Sequence, residues 1–155
     1  MSLSIVSRIT DEMKTAMKAR AALRVEVLRM LIAAIRNREI EKRTKGESDV
    51  LTDEEVIAVL SREAKKRKEA AEVYIAGKRP ELAAKEHDEI KIIEEFLPVL
   101  MGEEEVVPYV VKAIADTGAS SVKEMGKVMA AVMKELKGKA DGSVIGKIAK
   151  EKLSL

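Results

Sequence analysis

His87-Asp88 is the first place in this chain where residue types could do chemistry, because a neighbouring imidazole and carboxylate can hold a divalent metal. Such a site needs further converging ligands. His87 is the chain's one histidine, there is no cysteine, and Ala84 stands three residues before it, where a di-iron bundle would carry Glu. His87 is therefore expected on a helix surface, with no metal site and no cofactor. Zero cysteine also excludes disulfides, thiolate nucleophiles and iron–sulfur clusters. The paired acids Glu54-Glu55 and Glu94-Glu95 and the run Glu103 to Glu105 could do general acid–base work. Their placement suits helix caps and solvated faces better, so no catalytic residue is assigned.

Gly77-Lys78, Gly126-Lys127, Gly138-Lys139 and Gly146-Lys147 each invite a phosphate-loop reading. A Walker loop follows a strand and puts Ser or Thr directly after the lysine to hold magnesium. Here the next residues are Arg79, Val128, Ala140 and Ile148.

Lysine itself is more informative. From Ala119 to the C-terminus there are eight Lys against three Glu and one Asp, whereas Val99 to Gly118 holds one Lys against three Glu and one Asp. The net charge of +2 thus averages an acidic stretch with a basic one. Lys123, Lys127 and Lys134 recur at helical spacing, as do Lys147 and Lys150, with Lys137 and Lys139 between the two groups. Such a surface can neutralise several phosphates, with an affinity that falls steeply with salt. Two Tyr, one Phe and no Trp leave little for base stacking, so a folded RNA backbone fits better than single-stranded RNA. The cluster Arg62, Lys65, Lys66, Arg67 and Lys68 points around its helix and reads first as a solvated face balanced by Glu63, Glu69 and Glu72, with a phosphate-facing surface as the alternative.

These side chains must be positioned by helices. The chain of 155 residues is 46% hydrophobic and 36% charged, rich in Ala, Leu, Met, Glu, Lys and Arg, with hardly any alternating run. The fold class is all-α. Helices are expected over about 4–20, with Ile5, Ile9, Met13, Ala16 and Met17 on one face, and 23–43, using Leu28, Leu31, Ile32 and Ile35, then from a Thr52–Glu55 capping box to Ala76, with Val56, Val59, Leu60 and Val73 inward. Gly77 stops that helix, and Pro80 opens a fourth that carries Leu82, Ile90, Ile93 and Leu97 and ends at Pro98. Leu97 to Gly102 is the expected domain boundary, separating an N-terminal helical domain (1–97) from a C-terminal three-helix domain (98–155). In the latter, Pro108 should kink the helix over 103–117 or postpone its start. A Ser121–Glu124 capping box should open the next helix, with Met125, Val128, Met129, Val132, Met133 and Leu136 inward and Gly138 as its left-handed stop. Asp141 or Ser143 caps the last. No apolar run reaches the roughly 20 residues of a membrane span, and no basic segment followed by an apolar core opens the chain. A cytoplasmic protein without membrane contact is expected.

Met125-Gly126-Lys127-Val128-Met129, followed by Lys137-Gly138-Lys139-Ala140-Asp141-Gly142-Ser143, resembles the signature of the GatB/YqeY family. Leu97-Pro98, Gly118-Ala119-Ser120-Ser121, Arg29-Met30, Leu51 to Glu55 and Arg62 to Glu69 resemble stand-alone YqeY proteins, so the likeness spans essentially the whole chain. Ala130 departs from the glycine of that pattern, and Met101-Gly102 from its Leu-Ser cap. The resemblance implies a four-helix domain joined to a three-helix tail. The related tail of the tRNA-dependent amidotransferase B subunit contacts tRNA, while amide transfer from glutamine, a carbon–nitrogen ligase activity, needs a catalytic domain that has no counterpart here.

The preferred expectation is a non-catalytic tRNA-binding accessory protein using Lys127, Lys134, Lys137, Lys139, Lys147 and Lys150. Gly126, Gly138, Asp141 and Gly142 either shape turns and close packing or present backbone to RNA phosphate. The alternatives are a component or stimulator of amide transfer on Glu-tRNA or Asp-tRNA, and a helical interaction module that binds amidotransferase subunits or another translation protein.

Overall fold

A computed structural model describes residues 4–154. Every regular element among them is helical: α1 (Ile5–Lys18), α2 (Ala22–Thr44), α3 (Asp53–Ala76), α4 (Pro80–Glu94), α5 (Glu103–Thr117), a single 3₁₀ turn (Val122–Glu124), α6 (Met125–Leu136) and α7 (Gly142–Leu153). None of these is long and apolar enough to cross a membrane. The chain divides after Leu97 into two compact units.

In the first unit each helix boundary has a local cause. Ser4 Oγ accepts the Ser7 amide at the start of α1, and Thr52 Oγ1 accepts the Glu55 amide at the start of α3 while Glu55 Oε2 accepts the Thr52 amide. Pro80 occupies the first turn of α4, where its missing N–H costs nothing. The two helical hairpins, α1 with α2 and α3 with α4, turn at Arg20 (φ +55°) and Lys78 (φ +56°). Ile9, Val27, Leu28, Leu31, Ile35, Val56, Leu60, Ile93 and Phe96 form the core. Leu28, Leu31 and Leu60 are wholly buried, each contributing about 2–3 kcal/mol over exposure.

Three expectations for this unit need correction. Met17, expected on one face of α1 with Ile5, Ile9, Met13 and Ala16, is 51% exposed, because it lies past the inward row at the end of the helix. Val73 is 69% exposed, because the inward row of α3 runs Val56, Leu60, Ala64, Ala71 and passes it by. α4 ends at Glu94, before Pro98, so Phe96 rather than Leu97 supplies the fully buried side chain beyond it. The Arg8 guanidinium lies 5.4 Å from the centre of the Phe96 ring.

Ion pairs hold α3 to α4. Arg67 Nε donates to Glu89 Oε2 at 2.8 Å and Arg67 Nη1 to Glu63 Oε2 at 3.1 Å, all three side chains being largely buried. Lys66 pairs with Glu63 and Lys68 with Glu94. The cluster is therefore not one solvated face: Arg67 and Glu63 are largely buried and the further carboxylates come from Glu89 and Glu94 of the α4 hairpin, not from Glu69 and Glu72, while Arg62 and Lys65 stay on the exposed side.

The second unit packs Val106, Val110, Val128, Val132, Leu136, Ile145, Ile148 and Leu153 from three helices around one core. α5 starts at Glu103 despite Pro108, whose ring is exposed and whose missing N–H leaves the solvent-side Glu104 carbonyl without its helical partner. The Ser121–Glu124 box does not form. Glu124 reaches back one residue further and accepts the amide and hydroxyl of Ser120, leaving a 3₁₀ turn before α6. These bonds hold the Glu124 carboxyl below its ordinary pKa, the Ser120 amide having the largest effect. Gly118 (φ +68°) and Gly138 (φ +77°) take left-handed conformations that a Cβ would oppose.

Candidate nucleic-acid interface

Burial along α6 fixes which way its lysines face. Val128, Val132 and Leu136 point into the core, so Lys127 and Lys134, seven residues apart, lie on the opposite side with the exposed Ala130 between them. The link to α7 is held by backbone bonds: the Lys139 and Ala140 amides donate to the Leu136 carbonyl, and the Lys139 carbonyl accepts the Met101 amide at 2.9 Å. Lys137 and Lys139 project from this link on either side of Gly138. On α7, Ile145, Ile148 and Ala149 turn inward, leaving Ser143, Lys147 and Lys150 outward.

All six candidate lysines are exposed, but they are not equivalent. Lys147 Nζ donates to Glu103 Oε1 at 2.8 Å, a contact spanning 44 residues, and this carboxylate holds the ammonium above its ordinary pKa. Lys127 lies 3.7 Å from Glu124. Lys134, Lys137, Lys139 and Lys150 make no ion pair among the described residues. Charge segregation along the chain is therefore not segregation in space, since folding lays the acidic first turn of α5 against Lys147 and brings Lys112 of α5 to 3.6 Å from Glu135 of α6. Composition does not reveal the first pairing, which joins residues far apart in sequence. The Glu124–Lys127 pair, at i, i+3, is visible in the sequence.

The glycines separate in the same way. Gly138 is required by its left-handed turn. Gly126 and Gly142 have negative φ, and a Cβ on either would meet nothing within 4 Å. Neither turn geometry nor close packing explains them. Nor is the start of α7 open to phosphate, because Asp141 Oδ1 accepts both the amide and the hydroxyl of Ser143 at 2.8 Å. At the start of α6 the Glu124 side chain makes no cap bond and turns back to Ser120.

His87 is on the exposed side of α4, and among the described residues no three His, Cys, Asp or Glu converge to hold a metal ion.

The model of the YqeY-like protein family matches residues 6–153. The chain belongs to the YqeY-like family. Curated relatives of this YqeY-like protein include the mitochondrial protein named Altered inheritance of mitochondria protein 41. The Kluyveromyces lactis protein of that name is 30% identical over 72% of this chain and 59% of its own length. Its Saccharomyces cerevisiae counterpart is 28% identical over 61% of this chain and 49% of its own length. An uncharacterized protein of Schizosaccharomyces pombe is 42% identical over 39% of this chain and 49% of its own length. The YqeY-like chain thus spans about half to three-fifths of the relatives it matches.

Proposed function

We propose that this chain is a non-catalytic accessory protein that binds folded tRNA through the lysines of its C-terminal unit. The observation that carries the reading is the set Lys134, Lys137, Lys139 and Lys150, exposed and without an ion-pair partner among the described residues. Lys127 adds to it at the cost of a long, exposed pair with Glu124, and Lys147 adds little while Glu103 holds it. Recognition is by charge and shape, because Tyr109 is the one aromatic residue of this unit and lies on α5.

Binding of this kind could serve amide transfer on a misacylated tRNA performed by other subunits. The compartment follows from the tRNA pool the protein meets, cytoplasmic in the reading from sequence and mitochondrial for the yeast relatives by name.

Gel-shift titration with bulk tRNA at two salt concentrations tests the proposal. Retardation at low salt that weakens steeply at higher salt is expected, and Lys137→Glu with Lys139→Glu should abolish it. No binding at low salt, or indifference to this double substitution, overturns the reading.

A further inference from the structure

α2 has a core side and a solvent side of mixed character. One is the core row Val27, Leu28, Leu31 and Ile35. The other faces solvent and consists of two rows with seven-residue spacing, Ala22, Arg29, Arg36 and Glu26, Ala33, Ile40, set four residues apart. All six residues are exposed, and Ile40 is 53% exposed. Heptad spacing keeps each row on one line of the helix surface, as a helix packing along another helix requires.

The order of residues in the two rows is self-complementary. When the first row is laid antiparallel on the second row of another copy, Ala22 meets Ile40, Arg29 meets Ala33, and Arg36 meets Glu26. Small opposes large in the first layer, the arginine stem covers alanine in the second, and opposite charges meet in the third. A two-fold axis repeats each layer, as an isologous dimer demands. Ala22, Glu26, Arg29 and Ala33 of this face themselves line an open groove of about 690 Å³ that Met17 and Met30 also border, and Met17 is 51% exposed. The Ile40 end of the second copy would enter that groove, where flexible methionines can adapt to it. Arg29 and Arg36 have no ion-pair partner among the described residues, and the Glu26 carboxylate has Lys85 at 3.9 Å, a long and exposed pair that leaves it open to a second cation.

We infer that the occupant of this face is a second copy of the chain, joined through an antiparallel α2–α2 contact in which Glu26 pairs with Arg36 of the other copy. The rows extend about 28 Å at the helical rise. One helix pair of that length lies at the small end of specific interfaces, so the dimer forms and dissociates with concentration.

Sedimentation equilibrium of the full chain over about a hundredfold range of concentration tests this. A monomer–dimer equilibrium is expected. Arg36→Glu and Glu26→Arg should each weaken association at least tenfold, and the double variant, which restores two opposite-charge pairs, should recover it. Ala33→Arg, which sets like charge against Arg29 of the other copy in the middle of the contact, should weaken it without lowering the melting temperature at concentrations where the parent is monomeric, because the side chain is exposed there. A chain monomeric throughout, or a dimer unmoved by the single charge reversals, overturns the inference. A double variant that stays dissociated while folded by circular dichroism overturns the register.

Discussion

Lys42 Nζ lies 2.8 Å from Glu55 Oε1, while Oε2 of the same carboxylate accepts the Thr52 amide at 2.9 Å. One side chain thus closes the capping box of α3 and ties it to the last turn of α2, across the loop at 45–52. Both bonds lower the Glu55 pKa, the one from Lys42 more. Glutamine can still cap but cannot pair with the ammonium, so Glu55→Gln should lower the melting temperature by a few degrees. Glu55→Ala, which loses both functions, should lower it further. Thermal melts of the two variants beside the parent check the order.

Arg67 presents a harsher case. Its removal leaves Glu63 with Lys66 and Glu89 with the more distant Lys85 as their only cations among the described residues, so Arg67→Ala should cost about 1–3 kcal/mol, measured by urea unfolding.

Acid should expose the same network. Burial alone raises the Glu63 pKa, yet hydrogen bonds from Lys66 and Arg67 bring it below the ordinary value of 4.5. Glu55 and Glu124 are also lowered. The unfolded chain therefore takes up protons before the folded one, so this stability is complete above about pH 4.5 and is lost as pH falls through the folded values. Melts between pH 7 and pH 3 should show a plateau and then a decline, with a shallower decline in Arg67→Met.

Elements with a local chemical cause were legible in the sequence. Thr52 and Glu55 announce the start of α3, and Gly118 and Gly138 announce stops that their positive φ makes necessary. Features set by packing at a distance were not. Nothing near Val73 says that Ala71 takes the inward place, and Glu103 gives no local sign that Lys147 will be its partner. Pro108 does not postpone the start of α5, which the three core residues Val106, Val110 and Ala113 hold in place on either side of it.

The glycines give a clean contrast. Gly118→Ala should cost about 1 kcal/mol, because φ +68° is strained for any side chain. Gly126→Ala, in an ordinary helical conformation with open space around it, should instead stabilise by up to about 1 kcal/mol. It should also leave tRNA affinity unchanged, since phosphates are met by lysines. Denaturant unfolding and gel shift on the same two variants separate the roles.

Glu103 offers the sharpest test of how the lysines divide the work. Lys147 is held at 2.8 Å by its carboxylate, so a phosphate must compete for that ammonium, whereas Lys134 has no such competitor among the described residues. Lys134→Ala should therefore weaken tRNA binding more than Lys147→Ala and reduce the slope of log affinity against log salt by about 0.7–0.9. Glu103→Gln should do the opposite, freeing Lys147, tightening binding and steepening the slope. In the Glu103→Gln background, Lys147→Ala should then cost as much as Lys134→Ala does in the parent. Equal losses from the two lysines in the parent would show that the Glu103 contact does not govern access to Lys147, and the phosphate path would have to run across α7 without regard to its ion pairs.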